Sequence, residues 1–137
     1  MFHHTTHLVP TVDAPSAARA ALAHALAPPT TAEFDLAPVD ETARLLVTEL
    51  VSNSVRHAGT PETTVRLDIA VDHGCLRIEV HDEGSDEPDL MRAGRTDGGF
   101  GLTLVDRLAD RWGIDHDDVG TRAWFELSLG TLPPGSS

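Results

Sequence analysis

Two neighbouring segments with alternating apolar residues constrain the fold of this chain more than any other feature. They span residues 64–71 and 75–82, and Asp72-His73-Gly74 joins them. Alternation of apolar and polar residues indicates a half-buried strand, and a short turn with glycine between two such segments indicates a hairpin. We therefore expect an antiparallel sheet with one covered face.

Helical patterns lie on both sides of this hairpin. Pro28-Pro29 ends the first of them, and Pro38 suits the first turn of the second. The expected elements, in chain order, are an edge strand at Leu8-Val9, helices from Asp13-Ala-Pro-Ser16 to Ala27 and over Val39–Ala58, the hairpin, a helix over Gly101–Trp112, and strands over Ile114–His116 and Thr121–Leu129.

This order of elements predicts an α+β fold. It is a two-layer α/β sandwich, in which three helices cover one face of a mixed, mostly antiparallel sheet. A Rossmann fold is excluded, because strands and helices do not alternate and no GxGxxG follows the first strand. We expect one domain over residues 1–130, with residues 1–7 and 131–137 disordered.

The charged residues limit the classes of ligand and reaction. Twenty-two acidic residues against ten basic ones give a net charge of −12, which opposes binding to nucleic acid. All ten basic residues are arginine, so a P-loop, a protein-kinase fold of the eukaryotic type and a Schiff-base enzyme are excluded. The single cysteine, Cys75, excludes an intramolecular disulfide. No apolar run is long enough to span a bilayer and residues 1–20 lack a signal peptide, so we expect a cytoplasmic protein without a membrane partner.

A row of polar residues follows the apolar face of the second predicted helix. Glu49, Asn53 and His57 are spaced by four residues, which places them in one line along the helix. Polar groups beside a core need hydrogen-bond partners if they are covered. Spacing alone leaves two interpretations open, a ligand site or the ordinary polar edge of an amphipathic helix.

The second predicted strand ends on an unusual residue. Leu76, Ile78 and Val80 share one face, and Asp82 has the same parity. A carboxylate that points toward the core needs donors or a ligand, and Gly84 leaves room for a planar group. The alternative is an aspartate that caps its own turn.

A glycine-rich segment then leads into the third predicted helix. It reads Asp97-Gly98-Gly99-Phe100-Gly101-Leu102-Thr103, with Arg95 just before it. Free backbone N–H groups and the positive end of the helix dipole suit an anion there, and the hydroxyl of Thr103 and the charge of Arg95 add to them. Residues 83–100 form a long predicted loop, which in compact domains is usually functional or disordered.

Together, these three features resemble a known arrangement. Glu49…Asn53…His57, Asp82-x-Gly84 and Gly99-x-Gly101-Leu102 are similar to the N box and the two glycine boxes of Bergerat-fold ATP-binding domains, shared by gyrase-type ATPases and histidine kinases. Over roughly residues 8–129, the chain most resembles the stand-alone serine/threonine kinases that act as anti-sigma factors. One departure is Asp86, which stands where the fuller first glycine box has a second glycine.

The resemblance implies ATP and Mg²⁺ as cofactors and a role for each matching residue. Glu49 is the implied catalytic base, and Asn53 the implied magnesium ligand. Asp82 is implied to accept a hydrogen bond from the adenine amino group, and residues 84–98 to form a lid over ATP. The implied nucleotide-binding residues are Asn53, His57, Asp82, Gly84, Arg95, Gly99, Phe100, Gly101, Leu102 and Thr103.

The resemblance also implies protein partners. It predicts phosphorylation of a serine or threonine of an antagonist protein, together with sequestration of a sigma factor, and it leaves open whether the chain forms a homodimer. Two alternatives remain open: an ATP-binding partner-switch module without kinase activity, and an ATPase module separated from a histidine kinase.

Overall fold

The computed structural model describes residues 2–27, 34–35, 37–58, 64–82, 101–116 and 120–131. Its elements, in chain order, are β1 (Phe2–Leu8), α1 (Ala14–Ala25), β2 (Phe34–Asp35), α2 (Ala37–Ala58), β3 (Val65–Asp72), β4 (Cys75–Asp82), α3 (Gly101–Leu108), β5 (Arg111–His116), β6 (Thr121–Ser128) and β7 (Gly130–Thr131).

Five of these strands form the main sheet, in the order β1-β3-β4-β6-β5. Every strand pair within the described residues is antiparallel, and β2 pairs with β7 in a separate two-stranded ribbon. The predicted hairpin is β3–β4. His73 and Gly74 make its turn, with φ angles of 54° and 71°. Two consecutive positive φ values match the right-handed twist of the strands that they join.

One face of the main sheet forms the core. Alternate residues of β3 and β4 are buried, and the three helices pack together on that side, with α2 in contact with β3, β4 and β6. This confirms the α+β sandwich. The largest fully buried side chains are Phe125, Leu22, Leu46, Leu67, Ile69, Leu76 and Ile78.

The centre of the helical layer is α2, because it contacts both α1 and α3. Its core-facing residues recur every three or four positions, which is the spacing of one helix face. The side chain of Arg19 on α1 donates a hydrogen bond of 2.8 Å to the hydroxyl of Thr48 on α2. None of the helices within the described ranges is both long and apolar enough to cross a bilayer.

Three expected boundaries differ from the structure. The disordered start expected at residues 1–7 is wrong for most of its length, because Phe2–Leu8 pairs along β3. The third helix ends at Leu108 instead of Trp112, since Trp112 lies on β5 opposite Phe125. Thr131, expected in a disordered tail, pairs with β2, while residues 132–137 lie outside the described residues.

Candidate functional site

The polar row on α2 lies against the core. Asn53 is only 3% exposed, Ser54 is also buried and Glu49 is half-buried. Their position follows from the helix repeat, since Asn53 comes three residues after Leu50 on the same face. The backbone of His57 lies on the last turn of α2. The row therefore places a buried amide and a half-buried carboxylate beside the apolar side chains of α2.

The side-chain amide of Asn53 has an unusual set of partners. Its Oδ1 accepts a hydrogen bond from the Arg56 guanidinium, three residues along the helix. Its Nδ2 is buried and has no hydrogen-bond partner among the residues that the structure describes. An unpaired buried donor costs about 1–3 kcal/mol, so an ordinary helix edge would not be expected to keep one. The amide is therefore a candidate for contact with a polar ligand.

A second buried polar group lies at the end of β4. Asp82 is 4% exposed and has the core-facing parity that its sequence position predicted. In the antiparallel ladder it pairs with Thr121 of β6, which is also buried. Sequence reasoning did not select Thr121, although it shares its parity with Ala123 and Phe125. The site therefore includes a hydroxyl next to the carboxylate of Asp82.

The third feature is the N-terminus of α3. This helix begins at Gly101, and the half-buried Thr103 lies in its first turn. The first N–H groups of a helix lack intrahelical acceptors, so this end suits an anion. Leu102 follows in the same turn. Of the other predicted nucleotide-binding residues, Gly84, Arg95, Gly99 and Phe100 lie outside the described residues, as does the predicted lid at 84–98.

The fold brings these features together through α2. This helix packs on β4, which ends in Asp82, and on α3, which begins at Gly101. The three elements thus carry a carboxylate on β4, a side-chain amide on α2 and backbone N–H groups at the start of α3. Oxygen atoms on Asn53 and Glu49 are the ligand type that Mg²⁺ prefers. The unpaired Nδ2 of Asn53 is a hydrogen-bond donor, so it suits an acceptor such as a phosphate oxygen and not the metal itself.

The opposite face of the sheet holds a separate cluster of charged residues. The Nε2 atom of His81 lies 3.0 Å from Glu79 Oε1 and 3.4 Å from Asp68 Oδ2. These three residues are spaced closely enough to share a cation. However, Arg66 lies 3.3 Å from Asp68 and Arg77 lies 2.6 Å from Glu79, so both carboxylates are already neutralised. The cluster is an ion-pair network.

Burial and neighbouring charges have opposite effects on the pKa of Glu79 in this network. Burial raises the pKa of its carboxyl, but hydrogen bonds from Arg77 and His81 and the charges of Arg77 and Arg122 outweigh it and hold the pKa below its usual value. Arg77 also stacks on Trp124, with its guanidinium carbon 4.1 Å from the ring centroid. The network therefore stabilises the sheet and lies on the face opposite the candidate site.

Comparisons with known proteins identify the fold and the family of the chain. A search of curated proteins finds no significant match. The structure of the RsbU and RsbW domains of Rv1364c from Mycobacterium tuberculosis is similar, with a TM-score of 0.67 and 20% sequence identity. The match covers 95% of this chain and 33% of that one, and it shows a shared fold. Residues 8–127 match the histidine kinase-like ATPase domain, which includes α2, the β3–β4 hairpin and α3, so the chain belongs to this family.

Proposed function

We propose that this chain is a cytoplasmic, ATP-dependent protein kinase that phosphorylates a serine or threonine of an antagonist protein and sequesters a sigma factor. The observation that carries this proposal is the buried amide of Asn53, whose Nδ2 atom has no partner among the described residues. The family match supports nucleotide binding. The resemblance of the N box and the glycine boxes to anti-sigma kinases supports the choice of substrate and partners.

ATP would bind along the three elements joined by α2. The carboxylate of Asp82 would accept a hydrogen bond from the adenine amino group, with the Thr121 hydroxyl beside it. The N–H groups at the start of α3, together with the Thr103 hydroxyl, would donate to phosphate oxygens. The Asn53 amide oxygen would hold Mg²⁺, which neutralises charge on the phosphates when it is bound. His57, Gly84, Arg95, Gly99, Phe100 and Leu102 complete the proposed nucleotide site.

Phosphoryl transfer depends mainly on positioning and on neutralisation of charge. The hydroxyl oxygen of the substrate serine attacks the γ-phosphorus, and its proton passes to the carboxylate of Glu49. The bond between the γ-phosphorus and the bridging oxygen breaks, which leaves ADP. Glu49 is half-buried on α2, one turn before Asn53. As the proposed base, it would lie beside the phosphates and away from the adenine.

The test replaces Glu49 and keeps the rest of the site. Glu49→Gln should retain ATP affinity to within about threefold and lose about 10²–10⁴-fold in the rate of phosphoryl transfer, because it removes general-base assistance alone. Glu41→Gln is the matched control, since Glu41 is an exposed glutamate on the same helix. The assay uses γ-labelled ATP, Mg²⁺ and the antagonist that co-purifies with the chain, and mass spectrometry then locates the phosphate.

Three results would decide between the candidates. Label on a serine or threonine with wild type and Glu41→Gln, but not with Glu49→Gln, supports the kinase. Tight ATP binding without any label from wild type supports a partner-switch module that binds ATP only. Label on a histidine would indicate an ATPase module of a histidine kinase.

A further inference from the structure

The proposed magnesium ligand, the amide oxygen of Asn53, already contacts a positively charged side chain of the protein, Arg56. The Nη2 atom of Arg56 donates a hydrogen bond to Asn53 Oδ1, the same oxygen that the proposed function assigns to Mg²⁺. Asn53 and Arg56 are three residues apart on α2, so their side chains lie on the same side of the helix. The Asn53 side chain is buried, whereas Arg56 is exposed.

The two cations compete for this oxygen. An amide oxygen has lone pairs in one plane, and a metal about 2.1 Å away needs one of them unobstructed. A guanidinium on the same oxygen would lie within about 4–5 Å of the metal, where like charges repel strongly in a site partly shielded from water. A contact between Arg56 and this oxygen therefore weakens the binding of Mg²⁺, and bound Mg²⁺ weakens the contact with Arg56.

We propose that Arg56 is a positioning residue that holds Asn53 in the metal-free protein and is displaced from it when Mg²⁺ binds. The inference rests on the proposed function, because it requires a metal at Asn53. It assigns Arg56 a role as a competitor of the metal, so that the protein's Mg²⁺ requirement is set partly by this one hydrogen bond.

The first measurement tests whether the two side chains are coupled without metal. Unfolding is measured with EDTA for wild type, Arg56→Met, Asn53→Ala and the double variant, at one saturating ATP concentration. Methionine keeps the apolar stem and removes the charge. We expect Arg56→Met to lower the folding equilibrium constant about threefold to tenfold, and to have a smaller effect when Asn53 is already alanine.

The second measurement tests competition. At the same ATP concentration, the Mg²⁺ concentration that gives half of the full thermal stabilisation should fall in Arg56→Met. By linkage, it should fall by the same factor that the first measurement gives for the coupling. Arg44→Met is the matched control, because Arg44 lies on the same helix and pairs with Asp40 at 3.3 Å. It should leave the Mg²⁺ midpoint unchanged.

The outcomes separate this inference from the proposed function. If wild type gains no Mg²⁺-dependent stabilisation with ATP, both are overturned. If wild type responds to Mg²⁺ but the midpoint of Arg56→Met is unchanged or higher, the competition is wrong and the proposed function stands. The inference is also overturned if Arg56→Met lowers the folding equilibrium constant equally in the wild-type and Asn53→Ala backgrounds, since Arg56 would then act through other contacts.

Discussion

Removing the side-chain amide of Asn53 should stabilise the empty protein while it abolishes the response to Mg²⁺ and ATP. These two effects have opposite signs, which a residue with a purely structural role would not produce. The substitution is Asn53→Ala, at a position that is 3% exposed in the middle of α2.

The size of the first effect follows from three terms. Alanine removes a buried donor that has no partner among the described residues, and such a donor costs about 1–3 kcal/mol. Alanine is also favoured over asparagine inside a helix by up to about 0.7 kcal/mol. Against this, the hydrogen bond with Arg56 is lost, which is worth about 0.5–1.5 kcal/mol. The net change is a stabilisation of about 1 kcal/mol, or about 3–5 °C in Tm for a chain of this size.

The second effect follows from mass action. A ligand at 100 times its Kd stabilises the native state by about 2.7 kcal/mol, and a variant that does not bind it gains nothing. Thermal unfolding is followed by circular dichroism, with and without Mg²⁺ and ATP. Ser52→Ala is the control, because Ser52 is the half-buried neighbour of Asn53 and belongs to none of the proposed roles.

Two results would refute the reasoning. A clear fall in the Tm of the empty variant would mean that the Asn53 amide is satisfied and structural. A full Mg²⁺-ATP shift in Asn53→Ala would mean that the amide does not take part in binding.

Two further predictions concern the sheet. Gly113→Ala should destabilise the protein by about 1–2 kcal/mol in urea unfolding, because the new Cβ would lie 2.8–2.9 Å from the Trp124 ring, and the loss should disappear in a Trp124→Val background. Since the folded-state pKa of Glu79 is lowered, its contribution to stability is present above its unfolded pKa and is lost as the pH falls through the folded value. Wild type should therefore lose more stability than Glu79→Gln between neutral and acidic pH. An equal loss in the two proteins would mean that the ion pairs of Glu79 do not stabilise the fold.

The hairpin could be predicted from sequence because all its signals are local. Alternation fixes the faces of β3 and β4, and His73-Gly74 fixes the register of their pairing. The start of β5 could not be predicted in this way. Val105, Ala109 and Trp112 fit a helical stripe, whereas Trp112 and Ile114 fit a strand. Long-range pairing with β6 decides between the two, and its first bond runs from the Asp110 N–H to the carbonyl of Glu126, 2.9 Å away.

An edge strand was predicted at Leu8-Val9, but its extension back to Phe2 was missed for a different reason. An edge strand needs little apolar surface, and the covered face of β1 carries His4 and Thr6 before Leu8. These polar side chains satisfy each other, because His4 Nε2 and Thr6 Oγ1 lie 2.7 Å apart. The composition of residues 2–7 therefore indicates disorder, although backbone pairing with β3 orders them. This pairing joins residues more than fifty positions apart, so no local pattern reports it.

For the candidate site, strand parity and helix spacing predict which residues lie on the core side. They place Asn53 and Asp82 there, and both residues are buried in the structure. Spacing does not show which atoms a long exposed side chain contacts, so Arg56 was overlooked. The only available signal was its position three residues after Asn53. Thr121 was overlooked because threonine is common in strands, and only its pairing with Asp82 connects it to the site.

Buried polar groups on the two faces of the sheet have different partners. On the open face, Arg77 contacts both Glu79 and Glu126 at 2.6 Å, so charge is neutralised within the protein. On the helical face, the Asn53 amide keeps a buried donor without a partner among the described residues. Under the proposed function, a ligand that binds the native state would offset the cost of this donor, and the stability of the chain would then rise with nucleotide concentration.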